Sequence, residues 1–496
     1  MIEFHESKNG EKTVSFGGKF LHSRYNPSSE GEKFAQNIQA DFLPLCLILI
    51  EPALAYQLAE LKRKFPNAKY VAIRFIKELC APEYNSGFDG VFFLDESKNL
   101  SDELFEFLTE EELCSSLVIE WSPSKNIFPE KNEKAWGQIK NAILKSRDVL
   151  GTRSYFSKRW LKNSLAFFKN IRSFCTAKKT NLPVIVAASG RSLESSLKFL
   201  QEYRTSFFLI AVSSAFMPLI TKGILPDLVI STDGGFWAKK HLSFPSQKNI
   251  HGTIFAFSSE SAVPKKLLRN ETVIPVCYDD DNLQKHFFSA FGIDFMTGRR
   301  NGTVSGTAVE FALALTDNTV YCVGLDQAPA KGYQHTQPNS LEYSSQMNDF
   351  RLKPKETRLT FSQFSSEGSL SLYRNWFIAK SGTRLARVKR LSDNYPFDFS
   401  LGSIKDVDWA EFKKSSQNKT TGKAEFSSPK QAGKNLSERK KILSDVLEQI
   451  RKTDEFKKEF FPMERLLILR EKDAQKKELL SDNLEKKISE FLDTAL

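Results

Sequence analysis

Residues 182–233 contain short apolar runs that each end directly in a polar or glycine-containing turn. The first run, Val184 to Ala188, is continuous, as expected for a strand that is covered on both faces of a parallel sheet. The turn Ser189 to Ser192 follows at once, and leucines then recur at helical spacing. The order strand, turn, helix, strand, helix, strand predicts an α/β domain, because strands that alternate with helices are typical of that architecture.

The turn Ser189 to Ser192 is a candidate anion site. A glycine turn that leads into the N-terminus of a helix directs backbone N–H groups at one point, which commonly holds the phosphate of a nucleotide. This pattern favours a nucleotide-using enzyme over a scaffold. An ordinary strand–helix connection has the same local pattern and is the alternative for this segment taken alone.

Residues 299–326 repeat the pattern. Gly302 to Thr307 open a second predicted helix, and the strand Val320 to Val323 ends shortly before Asp326. Asp326 and Asp233 each follow a predicted strand, and open α/β sheets bind their ligands beyond the carboxyl ends of their strands. Each acid could instead cap the next element. Two such acids beside two glycine- and hydroxyl-rich helix starts favour a binding site.

The ordered set of motifs resembles the central domain of the bacterial motility-associated-factor glycosyltransferases. The set comprises SGRSL after a strand, then AVSSAFMPLITKGILPDLVISTD, GTVSGTAVEFALAL, VYCVGLD and GYQH. The same domain type is named for its likeness to archaeal hydroxymethylpterin pyrophosphokinases and is similar to Rossmann-type bacterial sialyltransferases. The resemblance covers roughly residues 165–390. It implies transfer of a nonulosonic, sialic-like acid from a CMP-activated donor to Ser or Thr hydroxyls of flagellin.

The first turn departs from the family pattern. It reads Ala188-Ser189-Gly190-Arg191-Ser192-Leu193, where the family usually has Gly-small-Gly-Pro-Ser-Leu. Loss of the first glycine limits how closely the backbone can approach a phosphate, and Arg191 replaces a rigid proline with a cation. Asp233 is followed by Gly234-Gly235, where the family often has proline. These departures support a hypothesis of another class, a catalytically inactive flagellar assembly factor that keeps the fold.

The motifs and the resemblance together predict the residues that bind the donor. They are Ser189, Gly190, Arg191, Ser192, Asp233, Gly302, Thr303 and Ser305. In this set Asp233 would orient the nucleotide or the donor sugar. Thr303 and Ser305 would line a second anion site at a helix N-terminus. Arg299 and Arg300, just upstream, are candidate cationic partners for phosphate.

Two catalytic residues are predicted, His335 and Asp326. His335 lies in a loop after the last recognisable strand, where family members frequently carry a histidine, and related sialyltransferases use a loop histidine as general base. A hydroxyl that attacks an anomeric carbon benefits from a base that titrates near neutral pH. Asp326 would orient a substrate hydroxyl. A surface histidine without a role is the alternative for His335, and Lys331 and Tyr333 are candidates for contacting the leaving phosphate.

The second enzyme class that fits the motifs is a pyrophosphokinase that acts on a pterin-like alcohol with ATP and Mg²⁺. The two enzymes differ in nucleotide, cytidine against adenosine. The spacing of His241, His251 and His286 does not suggest a metal site, and these histidines have no setting comparable to that of His335. No metal or other cofactor is therefore assigned, and the need for a divalent metal stays open.

Composition argues against nucleic acid as a partner. The net charge is +11 and the pI about 9.1, but the basic residues form no aromatic-studded patch and no nucleic-acid-binding motif occurs. The polar start predicts that no signal peptide is present, and the longest apolar run, Phe42 to Ile50, is too short to span a membrane. Six scattered cysteines without a C-x-x-C pair favour reduced thiols. We therefore expect a cytoplasmic protein.

The predicted fold class is α/β, with a Rossmann-like central domain between two smaller parts. We expect an N-terminal α/β domain in residues 1–150 and the glycosyltransferase domain with a helical connector in residues 151–410. Residues 411–435 are polar and low in complexity, as in flexible linkers. Residues 436–496 carry two apolar stripes at helical spacing, separated at Pro462, and predict a C-terminal α-helical module.

Overall fold

The computed structural model describes residues 2–95, 99–243, 250–279, 281–328, 334–352, 354, 368–416 and 424–495. Within these ranges the chain is mixed α/β with parallel sheets, as predicted. It divides into two compact units. The first unit consists of Met1–Ser157 and Thr453–Thr494, and the second begins at Lys158 and extends to Lys452.

The first unit contains an antiparallel sheet of order β1-β2-β3 and a parallel sheet of order β6-β5-β4-β7. Its strands are β1 (Ile2–Glu6), β2 (Lys12–Phe16), β3 (Lys19–Phe20), β4 (Cys46–Ile50), β5 (Lys69–Arg74), β6 (Gly90–Phe93) and β7 (Ser116–Glu120). Its helices are α1 (Pro27–Asn37), α2 (Leu58–Lys64), α3 (Leu100–Phe107), α4 (Glu110–Cys114), α5 (Ser122–Ile127), the first part of α6 (Pro129–Asn170), and the helices Asp454–Phe460, Pro462–Arg470 and Ala474–Ala495. Short 3₁₀ turns span Lys77–Cys80 and Pro82–Tyr84.

The turn after β4 is covered by the unit's own N-terminal segment. The backbone N–H of Leu54 donates to His22 Nε2 at 3.0 Å, and the Tyr56 hydroxyl donates to the carbonyl of Lys12 at 2.6 Å. The first residue of this turn, Glu51, is buried and forms an ion pair with buried Arg74 at 3.1 Å. The turn is thus packed against other segments of the first unit.

The second unit is built on one large sheet. Its strands are β8 (Ser173–Phe174), β9 (Val184–Ala187), β10 (Phe208–Val212), β11 (Leu228–Ser231), β12 (Ile254–Ser258), β13 (Thr272–Tyr278), β14 (Met296–Gly298), β15 (Val320–Val323), β16 (Val388–Leu391), β17 (Lys405–Val407) and β18 (Lys430–Gln431). Its helices are the last part of α6, then α7 (Leu193–Glu202), α8 (Ser213–Thr221), α9 (Phe236–His241), α10 (Lys265–Asn270), α11 (Asn282–Phe291), α12 (Val304–Leu315), α13 (Ser340–Gln346), and the helices Gly368–Lys380, Trp409–Ser416 and Leu436–Ile450. A 3₁₀ turn spans Arg204–Ser206.

The order of the strands reverses between β9 and β15. The sheet order is β17-β16-β15-β9-β10-β11-β12-β13, with β8 and β14 both beside β13 and β18 beside β8. Apart from the antiparallel pair β8–β18, all these neighbours are parallel. The chain runs outward from β9 to β13 and then returns to β15 on the other side of β9. Ligands of open α/β sheets bind at the carboxyl ends of the strands beside such a reversal.

The C-terminal boundaries differ from the predicted ones. In the predicted linker, residues 417–423 lie outside the described residues, but Ser427 N–H donates to Thr176 at 2.9 Å and β18 pairs with β8. The helix Leu436–Ile450 belongs to the second unit, where the buried Arg439 donates to the carbonyl of Phe168 at 2.8 Å. Residues 453–494 group instead with the first unit. Backbone pairing and one buried cation thus connect segments that composition alone separates.

Two expectations from composition concern membrane-spanning helices and the state of the cysteines. In the part of the chain that the structure describes, no helix is long and apolar enough to cross a membrane. All six cysteines lie in the described ranges, carry free thiols, and four of them are buried.

Candidate active site

The first turn and the strand-end acid meet at the reversal between β9 and β15. The backbone N–H of Ser192 donates to Asp326 Oδ2 at 3.0 Å, and the Ser192 hydroxyl donates to Asp326 Oδ1. The N–H of Gly190 donates to the carbonyl of Gly324 at 2.8 Å. Two motifs that lie 134 residues apart in the sequence are thereby brought together.

Glycine is required at both strand ends for this approach. A Cβ atom at residue 190 would lie 2.5 Å from the carbonyl oxygen of Gly324 and 2.6 Å from Cγ of Asp326. Gly324 has a φ of +67°, in the left-handed region that favours glycine, and a Cβ there would overlap the carbonyl of Ala188. The two glycines therefore set how closely the turn after β9 and the turn after β15 can pack.

Asp326 occupies the anion position at the start of α7. Its carboxylate accepts hydrogen bonds from the backbone N–H groups of Arg191 and Ser192, the donors that the sequence assigned to a phosphate. Burial raises the pKa of Asp326, although its hydrogen bonds with Ser192 and Arg191 act in the opposite direction. Ser192 is fully buried. In this geometry Ser192 supports the turn from within, and Asp326 orients the turn.

The remaining groups of the first turn are Ser189 and the side chain of Arg191. Ser189 Oγ accepts a hydrogen bond from the Ser214 hydroxyl at 2.8 Å, and its own proton can be donated further. Arg191 is half-buried at the start of α7. Ser189 and Ser192 are buried, so Arg191 is the predicted first-turn side chain that is partly exposed.

The loop that carries His335 is attached to the first turn. The N–H of Thr336 donates to the carbonyl of Ser189 at 2.9 Å, and the Thr336 hydroxyl donates to the carbonyl of Gly190 at 2.7 Å. Asn339 in the same loop donates to the carbonyl of Ser214 at 3.4 Å. His335 therefore lies next to the reversal point, one residue from a direct contact with the predicted donor turn.

Two side chains that sequence reasoning did not select surround His335. Nδ1 of His335 lies 3.6 Å from Oε1 of Glu342, a buried carboxylate in α13. Burial and the nearby charge of His335 lower the pKa of His241, in α9, to about 4. His241, for which the sequence indicated no setting comparable to that of His335, thus lies near His335. Neither contact has a signal in the sequence, because both depend on how α9 and α13 pack.

Asp233 follows β11, as predicted, and is exposed. Its Oδ1 accepts the backbone N–H of Gly235 at 2.7 Å, at the residue before α9. The neighbouring Gly234 packs against Trp160, whose Cδ1 would lie 2.6 Å from a Cβ at residue 234. Asp233 thus has the geometry of a turn-capping acid, and the glycine pair that replaces the family's proline allows the close approach of Trp160.

The start of α12 is the second predicted anion site. Thr303 stands at the N-cap with extended backbone angles, and in the described part of the chain its side chain makes no capping hydrogen bond. Gly302 precedes it with a φ of +67°, and Ser305 is half-buried in the first turn. The first N–H groups of a helix have no intrahelical partner, and the helix dipole favours an anion there.

The helix Gly368–Lys380 places the start of α12 close to the reversal point. Its Trp376 approaches Gly306, with Cζ3 3.1 Å from the position of a Cβ there. Two residues earlier, Arg374 donates to the carbonyl of Gln327 at 3.3 Å, directly after Asp326. Gln327 was also not selected from the sequence. It has a φ of +49°, and its buried Oε1 has no hydrogen-bond partner among the described residues.

Arg300 is committed to two carboxylates. Its guanidinium contacts Glu260 at 2.8 Å and Asp281 at 3.1 Å, and it lies over the ring of Tyr278 at 4.5 Å. Arg299 pairs with Asp279 at 3.3 Å on the more exposed side. Glu260 and Asp281 thus already neutralise Arg300, which argues against it as the phosphate partner that its position before α12 suggested.

The remaining candidates are two residues for the leaving phosphate and a metal site. Lys331 and Tyr333, the candidates for contacting the leaving phosphate, lie outside the described residues. Within the described ranges no group of three or more His, Cys, Asp or Glu side chains is arranged to hold a metal ion.

Comparisons with known proteins identify similarities for the central segment and for the fold. Residues 158–332 match the family model described as 6-hydroxymethylpterin diphosphokinase MptE-like. An uncharacterized protein of Treponema pallidum (strain Nichols) is 28% identical over 320 residues, 64% of this chain and 69% of the relative. A second uncharacterized protein of that organism is 28% identical over 115 residues, 22% of this chain and 54% of the relative. The fold is similar to the structure of MAf glycosyltransferase from Magnetospirillum magneticum AMB-1, with a TM-score of 0.51 and 13% identity over 94% of this chain and 77% of that one.

Proposed function

We propose a function from one premise: this chain carries an MptE-like domain in the fold of a motility-associated-factor glycosyltransferase, the family that its motifs predicted. On this premise it transfers a nonulosonic, sialic-like acid from a CMP-activated donor to Ser or Thr hydroxyls of flagellin in the cytoplasm. One observation carries the proposal. The Ser189–Gly190 turn and the loop of His335 are joined by Thr336 where the strand order reverses.

The donor phosphate is assigned to the start of α12. At α7 the carboxylate of Asp326 already accepts the backbone N–H groups, so a second anion there would be repelled. Thr303 and Ser305 are hydroxyl donors beside the N-terminus of α12. Ser189 and Arg191, in the turn after β9, are assigned to the ribose or the sugar.

His335 is assigned as the general base. The acceptor hydroxyl gives its proton to His335 Nε2 while its oxygen forms a bond to the anomeric carbon of the donor sugar. The bond between that carbon and the phosphate oxygen breaks, and CMP leaves with the electron pair. A positioned base of this kind accelerates transfer by roughly 10²–10⁴-fold.

The nucleotide preference tests the donor. A ligand that binds the folded state raises the melting temperature. CMP is expected to raise it, and AMP and ATP to raise it much less. Equal or reversed preference would contradict a cytidine donor. The acceptor is tested separately by intact-mass spectrometry of flagellin from cells with and without this protein, in which an unchanged flagellin mass would contradict the assignment.

The match to the MptE-like family favours one second candidate, a pyrophosphokinase that uses ATP and Mg²⁺ to modify a pterin-like alcohol. This enzyme predicts stabilisation by ATP with Mg²⁺ and none by CMP. The inactive assembly factor predicts no stabilisation by either nucleotide. The same thermal measurement therefore separates all three hypotheses.

A further inference from the structure

We propose that Glu342 is the positioning residue for His335, holding the Nδ1–H side of the imidazole so that Nε2 faces the substrate. Oε1 of Glu342 accepts the backbone N–H groups of Gln334 at 2.7 Å and of His335 at 3.2 Å. The same oxygen lies 3.6 Å from Nδ1 of His335. One carboxylate oxygen thus holds the loop backbone by two hydrogen bonds and lies beside the buried Nδ1, which has no hydrogen-bond partner among the described residues.

The burial of Glu342 makes this contact directional. Its side chain is 6% exposed, while that of His335 is 28% exposed, so the carboxylate faces the protein and the imidazole reaches solvent on its other side. Burial alone would raise the pKa of Glu342, but interactions with the His335 ring and with the N–H groups of Gln334 and His335 lower it overall. Glu342 therefore stays ionised and can stabilise the imidazolium that forms when His335 accepts a proton.

A second titratable group near His335 in the described part of the chain is consistent with this assignment. His241 is buried in α9, and burial and the nearby charge of His335 lower its pKa to about 4. His241 is consequently neutral near pH 7 and adds no positive charge beside the imidazolium. Among the described residues, an anionic Glu342 and a neutral His241 thus lie near the ring to which the proposed function assigns the acceptor's proton.

The kinetic test uses Glu342→Gln, which keeps an oxygen that can accept the backbone N–H groups but removes the charge. This kinetic test rests on the proposed function. The donor probe is CMP-N-acetylneuraminic acid, and the release of CMP is measured. We expect kcat to fall by about 10- to 100-fold, less than removal of the base itself, while KM for the donor stays the same. An unchanged kcat, or a change confined to KM, would overturn the positioning role.

A matched control removes the charge of a carboxylate that has similar contacts but lies at the amino ends of the strands, away from the site. Asp227 precedes β11, accepts the N–H of Leu209 at 2.8 Å and pairs with Arg204 at 2.9 Å. Asp227→Asn is expected to lower the melting temperature without changing kcat. If Asp227→Asn reduced kcat as much as Glu342→Gln, the effect would reflect general destabilisation.

A second measurement does not depend on the reaction. The ¹⁵N resonances of the His335 ring, assigned by their loss in His335→Asn, report which nitrogen carries the proton. In the neutral ring of the wild-type protein we expect the proton on Nδ1, the nitrogen that lies beside the carboxylate of Glu342. A proton on Nε2 would contradict the inference. If these spectra agree but CMP is not released, the proposed donor fails and the positioning role stands.

Discussion

At the scale of the residue, Asp326 differs most from its sequence-based assignment. The sequence shows an acid after a strand, and the choice between binding a substrate and binding the protein depends on which strand lies next to it. β15 pairs with β9, so Asp326 meets the N-terminus of α7 and fills the anion position there. Strand pairing across more than a hundred residues has no local sequence signal, so this part of the site could not be predicted.

His335→Ala tests the catalytic base. The side chain contributes little packing, because the loop is held by Thr336 and Asn339 through other hydrogen bonds. We expect CMP binding and the melting temperature to stay nearly unchanged and transfer to fall by about 10²–10⁴-fold. Transfer is measured as CMP release with acceptor present. Full activity of the variant would remove His335 from the mechanism.

Gly190→Ala tests the approach of the two strand ends. The new methyl group would overlap Gly324 and Asp326, and overpacking of this kind typically lowers the free energy of unfolding by about 1–3 kcal/mol. We expect this loss in chemical denaturation together with weaker CMP binding. Gly151→Ala is the control, since it lies in α6 with no atom within 4 Å of the added methyl and should stabilise by roughly 0.5–1 kcal/mol. Similar effects of the two variants would show that residue 190 has room for a side chain.

At the scale of the element, the strands and helices that flank the motifs are the most predictable. The apolar runs at Val184–Ala187 and Val320–Val323 form strands, and the helical spacing after Ser192 forms α7. The strands β1–β3 were not predicted, because these short strands lack a long apolar run. Pro462 does mark a break, as expected, but it also begins a helix, Pro462–Arg470, where its fixed φ suits the first turn.

Ser305→Asp tests α12 as the phosphate site. A carboxylate in the first turn of α12 is favoured by the helix dipole, so the fold should survive, but it would repel the donor phosphate. We expect calorimetric titration of the folded variant to show no binding of the CMP-sugar donor. The control is Ser305→Asn, because asparagine has nearly the same shape as aspartate but carries no charge. This variant should keep most of the affinity for the CMP-sugar donor. Wild-type affinity in Ser305→Asp would mean that the phosphate lies elsewhere.

At the scale of the whole molecule, the predicted parts and the compact units divide the chain differently. The predicted boundaries followed composition, and the polar run 411–435 was the main reason for placing a separate module after it. The structure ties the second half of that run to β8 and places the buried Arg439 against the end of α6. A polar composition indicates that a segment has no apolar core of its own. It does not show whether the backbone of that segment forms hydrogen bonds with the edge of a sheet.

Limited proteolysis tests this organisation. We expect cleavage first within residues 411–435, the polar run, and we expect the two fragments to stay together in size-exclusion chromatography under native conditions. The reason is that residues 424–452 pair with the second unit and residues 453–494 pack in the first. Separation of a folded fragment that ends near residue 410 would contradict the division into units. First cleavage inside residues 182–326 would contradict the fold of the second unit.

The attachment of Thr336 to Ser189 and Gly190 has a consequence for the energetics of the reaction. Residues 334–339, which include the base, lose conformational freedom when the protein folds, so no further entropy is lost in ordering the base during each turnover. The base then needs little further movement to reach the position that the transition state requires. The same two hydrogen bonds also connect residues 334–339 to the fold of the second unit. Damage to them should therefore appear as slower catalysis and faster unfolding at once.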